Sequence, residues 1–193
     1  MALIVFLNGT SSSGKSTLAA ELLQILDGPF FHLAMDAFNA MRAKVEVPPE
    51  DLDDVLRRTR MGFHRAIAGM AAGGNDVVVD HVLSEPWRLA DCLDVLADHD
   101  VVLIGVHCPL DELERRELAR GDRPPGIAAM QYGRVHSHGI YDIEVDTHAC
   151  GAVQCARQIK AYLKSGSTPT AFDRLREAQA GQRSEAATAV SAN

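Results

Sequence analysis

Apolar residues alternate along this chain between two rhythms. Unbroken aliphatic runs occupy Leu3 to Leu7, Phe30 to Met35, Val77 to Val79, Val101 to Val106 and Ile143 to Val145. Such runs predict strands covered on both faces. Between them apolar positions recur every three or four residues, as at Leu18, Leu22, Leu23 and Leu26, which predicts helices over 15–26, 50–72, 87–97, 110–119, 127–138 and 151–163. The punctuation agrees: Asp27-Gly28-Pro29 and Gly73-Gly74 stop two helices, and Pro48-Pro49 opens one. Strands alternating with helices predict an α/β fold with a parallel sheet between two helical layers. From Ser165 onward the chain turns polar and rich in Ala, Ser, Thr and Gln. The expected organisation is one domain over 1–164 and a disordered tail over 165–193, with helical spacing only at 172–179.

The turn after the first strand carries the strongest chemical signal. Gly9-Thr10-Ser11-Ser12-Ser13-Gly14-Lys15-Ser16 has the spacing Gly-x-x-x-x-Gly-Lys-Ser, preceded by a strand and followed by a helix. Gly9 and Gly14 permit backbone angles that let successive amides converge on one anion. The helix N-terminus adds its positive dipole end. Lys15 is placed to reach the β and γ phosphates of ATP, Ser16 to ligate Mg2+, and Thr17 to support the helix start. The loop therefore predicts a nucleotide kinase-type P-loop protein.

Two aspartates end apolar strands, Asp36 and Asp80. Ligands of open α/β sheets gather beyond those ends. Phosphoryl transfer to a hydroxyl uses one carboxylate as base and another beside the metal. Asp36 is assigned as base and Asp80 to magnesium, an assignment that could be exchanged. Phe38, Met41, His81 and Val82 are expected beside the acceptor. Arg115, Arg116, Arg120 and Arg123 crowd ahead of Pro124-Pro125-Gly126, which predicts a lid around 115–126. There Arg116, Arg120 and Arg123 would neutralise phosphoryl charge. The competing reading is a solvated helix with Glu112, Glu114 and Glu117 as partners.

Composition narrows the classes. A formal charge of −7 with no basic run argues against nucleic-acid or membrane-surface partners. The four cysteines lack metal-ligand spacing and read as thiols of a reducing cytoplasm. His136 and His138, two residues apart, do not share a helix face and are expected at a surface or pocket edge.

The opening Ile4-Val5-Phe6-Leu7-Asn8-Gly9 with its loop resembles chloramphenicol phosphotransferase. So do Met35-Asp36, Val79-Asp80, Arg116-Glu117-Leu118-Ala119-Arg120-Gly121-Asp122-Arg123 and Tyr141-Asp142-Ile143-Glu144-Val145-Asp146-Thr147. The likeness runs over about 2–163. It implies a three-layer nucleotide-kinase-like fold and phosphorylation of a primary antibiotic hydroxyl, with Asp36 at the position of the base. The sequence departs from the family pattern at His81 and over 43–54. Expected partners are ATP, Mg2+ and a small-molecule hydroxyl acceptor, in a monomer or weak homodimer. A nucleoside, nucleotide or metabolite kinase stays open, because Arg42, Arg57, Arg58, Arg60 and Arg65 lie between the two aspartates. A non-catalytic nucleotide-binding module is the alternative of another class.

Overall fold

A computed structural model describes residues 2–121, 125–166 and 168–191. Five strands form an all-parallel sheet: β1 (Leu3–Asn8), β2 (Phe31–Ala34), β3 (Val77–His81), β4 (Asp100–His107) and β5 (Ile143–Asp146), in the order β2-β3-β1-β4-β5. β1 is central, pairing Leu7 with Asp80 and Asn8 with His81 on one side and Asn8 with Gly105 on the other. Its unbroken apolar run follows from that position, since both of its faces are covered.

Alternation along the strands divides the core in two. Ile4, Phe6, Val77, Val79, Val101 and Leu103 point to one face, and Val5, Leu7, Val78, Ile104 and Val106 to the other. The second face is covered by α1 (Lys15–Ile25) and α7 (Gly151–Ser165), through Leu18 and Leu22 and through Cys155 and Ile159. The first face is covered by α3 (Pro49–Ala72) and α4 (Pro86–Val95), with Phe63, Ile67, Cys92 and Leu93 packed inward. The short α2 (Met35–Ala40) follows β2 directly. β2 is less covered than its aliphatic run predicts, with Phe31 and His32 exposed, because it is an edge strand. Beyond the carboxyl end of β4 lie α5 (Leu110–Arg120) and α6 (Ile127–Val135), which meet at Leu113 and Ala128.

The tail departs from expectation. Residues 171–191 form an eighth helix, α8 (Ala171–Ser191), where the composition predicts disorder. Ala171, Phe172 and Leu175 enter the first core face, and the Phe172 ring lies 6.1 Å from Phe6. Thr170 and Asp173 close a reciprocal cap, with the Asp173 N–H donating to Thr170 Oγ1 and the Thr170 N–H donating to Asp173 Oδ2. The buried Asp142 carboxylate accepts from the Leu103 and Ala171 amides and so pins the helix start to β4. The physical reason is tertiary: two large apolar side chains one turn apart suffice when a sheet face is left open to receive them. No described helix is long and apolar enough to cross a membrane.

Candidate active site

The loop after β1 is bent as its glycines predict. Gly14 sits at φ 87°, in the left-handed region, and a Cβ on Gly9 would stand 2.4 Å from the Val106 carbonyl oxygen. Both positions exclude a side chain, one by conformation and one by space. Ser12 also has a positive φ of 64°. Thr147 Oγ1 donates to the Ser13 carbonyl at 2.6 Å and accepts from Arg116 Nη1 at 3.1 Å, linking the loop to β5 and α5. The Ser11 amide donates to Gln131 Oε1 of α6 at 2.8 Å.

At the loop's end Lys15 is 6% exposed, and its ammonium donates to the Thr10 carbonyl at 2.7 Å. The same ammonium stands 3.9 Å from Asp80 Oδ1. Ser16 Oγ donates to Asp80 Oδ2 at 2.5 Å. Asp80 and His81 are consecutive in β3 and point to opposite faces. Asp80 turns toward α1 and the loop, His81 toward α3. The imidazole of His81 is buried between Phe6 and Phe63, and its Nε2 lies 3.0 Å from His64 Nε2. His64 Nδ1 lies 2.6 Å from Asp91 Oδ2, and Arg65 grips Asp91 with two nitrogens at 3.0 and 3.1 Å. Burial holds both imidazoles below their ordinary pKa. The tautomers that satisfy the chain put a proton on His64 Nδ1 and on His81 Nε2, which leaves His81 Nδ1 a bare acceptor.

These groups open into one cleft of about 770 Å³ beyond the carboxyl ends of the strands. Of the expected site residues, Ser11, Ser12, Gly14, Lys15, Ser16, Thr17, Asp36, Asp80, His81, Val82, Arg116 and Arg120 line it. Gly9, Thr10 and Ser13 form the buried underside of the loop. Arg123 lies outside the described residues, so the lid expected around 115–126 is described only in part. Phe38 and Met41, expected beside the acceptor, are not among the residues that line the cleft. Phe38 packs into the core 5.4 Å from Phe63, and Met41, just past the end of α2, is 77% exposed. One turn of α2 presents Asp36 and Asn39 to the cleft and turns Phe38 away. His136, expected at a surface or pocket edge, stacks on His107 at 4.0 Å and bonds the Tyr141 hydroxyl at 2.7 Å.

Met35, Arg88, Gln131 and Thr147 line the cleft without a functional signal in the sequence. Arg88 reads there as an ordinary helical charge beside Glu85. In the fold it is buried, donating to the Val82 carbonyl at 3.0 Å and the Ser84 hydroxyl at 3.1 Å, with Glu85 as its ion-pair partner. Thr147 is visible only as part of the Tyr141–Thr147 resemblance.

Comparison with known proteins agrees with this geometry. The chain matches the chloramphenicol phosphotransferase-like protein family over residues 2–164. It is 30% identical over 204 residues to a Mycobacterium tuberculosis protein provisionally named an O-phosphotransferase, with 90% of this chain and 88% of that protein covered. In fold it resembles the APS kinase of Mycobacterium tuberculosis at a TM-score of 0.63 and 18% identity, covering 84% of this chain and 98% of the other. The shikimate kinase of Acinetobacter baumannii gives a TM-score of 0.62 at 12% identity, covering 87% and 96%. The kinase reading of the phosphate loop and the three-layer P-loop fold expected from it both stand. Phosphate loop, strand-end aspartates and match together place this chain in the chloramphenicol phosphotransferase-like family.

Proposed function

We propose that this protein is an ATP- and magnesium-dependent O-phosphotransferase that phosphorylates a hydroxyl of a small molecule. The observation that carries the reading is a single cleft shared by Lys15 and Ser16, Asp80 and Asp36. The residues fit a nucleotide and its metal. Ser12 Oγ is buried without a partner inside an anion-turned loop, and the Ser16 hydroxyl with the Asp80 carboxylate offers the hard oxygen pair magnesium prefers. Ser16 and Asp80 would hold the ion, which would supply charge neutralisation for the transferring phosphoryl group.

The chain's own groups divide the remaining work. Lys15 is released from the Thr10 carbonyl to meet the phosphate oxygens. Arg116, braced by Glu112 at 2.7 Å, faces the loop with Arg120 across the phosphoryl path. Asp36, in the first turn of α2, takes the proton of the acceptor hydroxyl as the new O–P bond forms. The bond between the γ phosphorus and its bridging oxygen breaks, and ADP leaves. Met35, Asn39, His81 and Val82 border the acceptor. Chloramphenicol, which the family's description names, enters the test as a neutral acceptor beside acidic ones.

The test is a panel of hydroxyl compounds incubated with ATP and Mg2+ and read by mass for phosphate adducts. Lys15→Met should abolish transfer in a folded protein, and Asp36→Asn should lower kcat about 10²- to 10⁴-fold. Absence of magnesium-dependent nucleotide affinity in the wild type would overturn the reading.

A further inference from the structure

We propose that the acceptor carries an anionic group, a carboxylate or a phosphate, held by Arg60 with Arg88 beside it. The inference rests on the phosphotransferase reading for the word acceptor, but the anion subsite itself does not.

Five arginines lie between the two strand-end aspartates, and the fold sorts them. Arg58 pairs with Asp54 on the surface of α3 at 3.4 Å. Arg65 is committed to Asp91, and Arg57 lies over the Trp87 ring, 4.6 Å from its centroid. Arg42 is exposed and does not border the cleft. Arg60 alone of the five lines the cleft, half-buried, with no hydrogen bond or ion pair among the described residues. A guanidinium in that setting presents a fork matched to carboxylate or phosphate.

A second observation points to the same corner. Among the described residues three buried side-chain polar atoms lack a partner: Ser12 Oγ, His81 Nδ1 and Arg88 Nε. All three residues line this cleft. Buried polar groups are nearly always satisfied, so a set of exceptions gathered in one cleft marks where a ligand completes them. Ser12 belongs to the phosphate loop. Arg88 Nε, a donor, belongs with Arg60, whose charge acts on it, on His81 and on Glu85, whereas His81 Nδ1 is an acceptor and takes a donor such as a ligand hydroxyl. Glu85 already offsets Arg88, and Asp80 is taken by Ser16 and Lys15. That leaves Arg60 without a hydrogen-bonded or ion-paired carboxylate among the described residues, with Asp36 the other carboxylate lining the cleft.

The corner is separate from the nucleotide's own cations. Lys15 starts α1, while Arg115, Arg116 and Arg120 stand on α5. Arg60 comes from α3, which covers the opposite sheet face with α4. Arg60 therefore enters the cleft from the side away from α1, a cleft that Asp36 and Asn39 also line.

The experiment loads the full chain with magnesium and a non-hydrolysable ATP analogue, so that the phosphate loop is filled. Inorganic phosphate and, separately, glycerate are then titrated, read by calorimetry and by emission of Trp87, the single tryptophan. Saturable binding is expected. Arg60→Ala should weaken it at least about tenfold, Arg60→Lys less, and Arg58→Ala on the same helix not at all. Tighter binding of phosphate or of glycerate tells a phosphorylated acceptor from a hydroxy acid. In turnover assays, Arg60→Ala should raise KM for acidic acceptors while leaving KM for ATP in place. No saturable anion binding, equal binding by Arg60→Ala, or neutral alcohols turned over with a KM indifferent to Arg60 would each overturn the proposal. Anion binding that persists where no compound is phosphorylated would instead sink the phosphotransferase reading and leave the subsite standing.

Discussion

Asn8 shows how much one polar residue can hold at the end of a central strand. Its Nδ2 donates to the Val135 carbonyl at 3.0 Å and the Tyr141 hydroxyl at 2.8 Å, and its Oδ1 accepts from the Leu83 amide at 2.9 Å. It thus ties β1 to α6, to the approach of β5 and to the segment after β3. Asn8→Ala leaves the Leu83 amide buried and unpaired and takes one partner from the Val135 carbonyl and the Tyr141 hydroxyl, at about 1–3 kcal/mol for each group that finds no other partner. A clear drop in the urea midpoint is expected, and Asn8→Ala melting like the wild type would refute it. The sequence shows Asn8 only as a letter ahead of the loop, because its partners lie 75 to 133 residues away. Asp36 and Asp80 are legible because strand ends announce themselves. Arg60 and Arg88 are not, since whether an arginine is paired, stacked or left facing a cleft depends on chain that is distant in sequence.

Elements were legible in proportion to how local their cause is. β1, β3 and β4 follow from unbroken aliphatic runs, and α1 and α3 from periodicity with clear stops. α8 could not be read this way. Its composition is helix-tolerant but polar, and its stability comes from the open face it covers. Phe172, 1% exposed, is the test. Phe172→Ala should cost about 3–5 kcal/mol, the usual range for a large aromatic removed from a core, and a chain cut after residue 165 should lose more. Thermal unfolding of the two variants measures this directly. An unchanged melting temperature in both would show that the helix contributes nothing to the domain.

At the scale of the molecule, neutral buried imidazoles predict how stability responds to acid. Burial lowers the pKa of His136 to about 4, from 6.5, and lowers that of His138 and His64 as well. The folded form of each binds fewer protons than the unfolded chain below pH 6.5, so the stability these imidazoles contribute is complete above pH 6.5 and is lost as pH falls, for His136 down to about 4. Melting temperature should therefore decline across that window, and His136→Gln should flatten the slope. A flat profile from pH 7 to 4 would contradict it. The bond from the Ser11 amide to Gln131 bears on long-range communication. On the proposed function, a triphosphate in the loop draws on the same N–H as that glutamine, and occupancy of the loop is expected to be felt in α6. From there Glu117, whose carboxylate receives the Gly126 and Ala128 amides at 2.7 and 3.1 Å, connects the disturbance to α5, the helix that carries Arg116 and Arg120. Deuterium uptake over 127–135 should consequently change when nucleotide is added, and in Gln131→Ala that response should be uncoupled from binding.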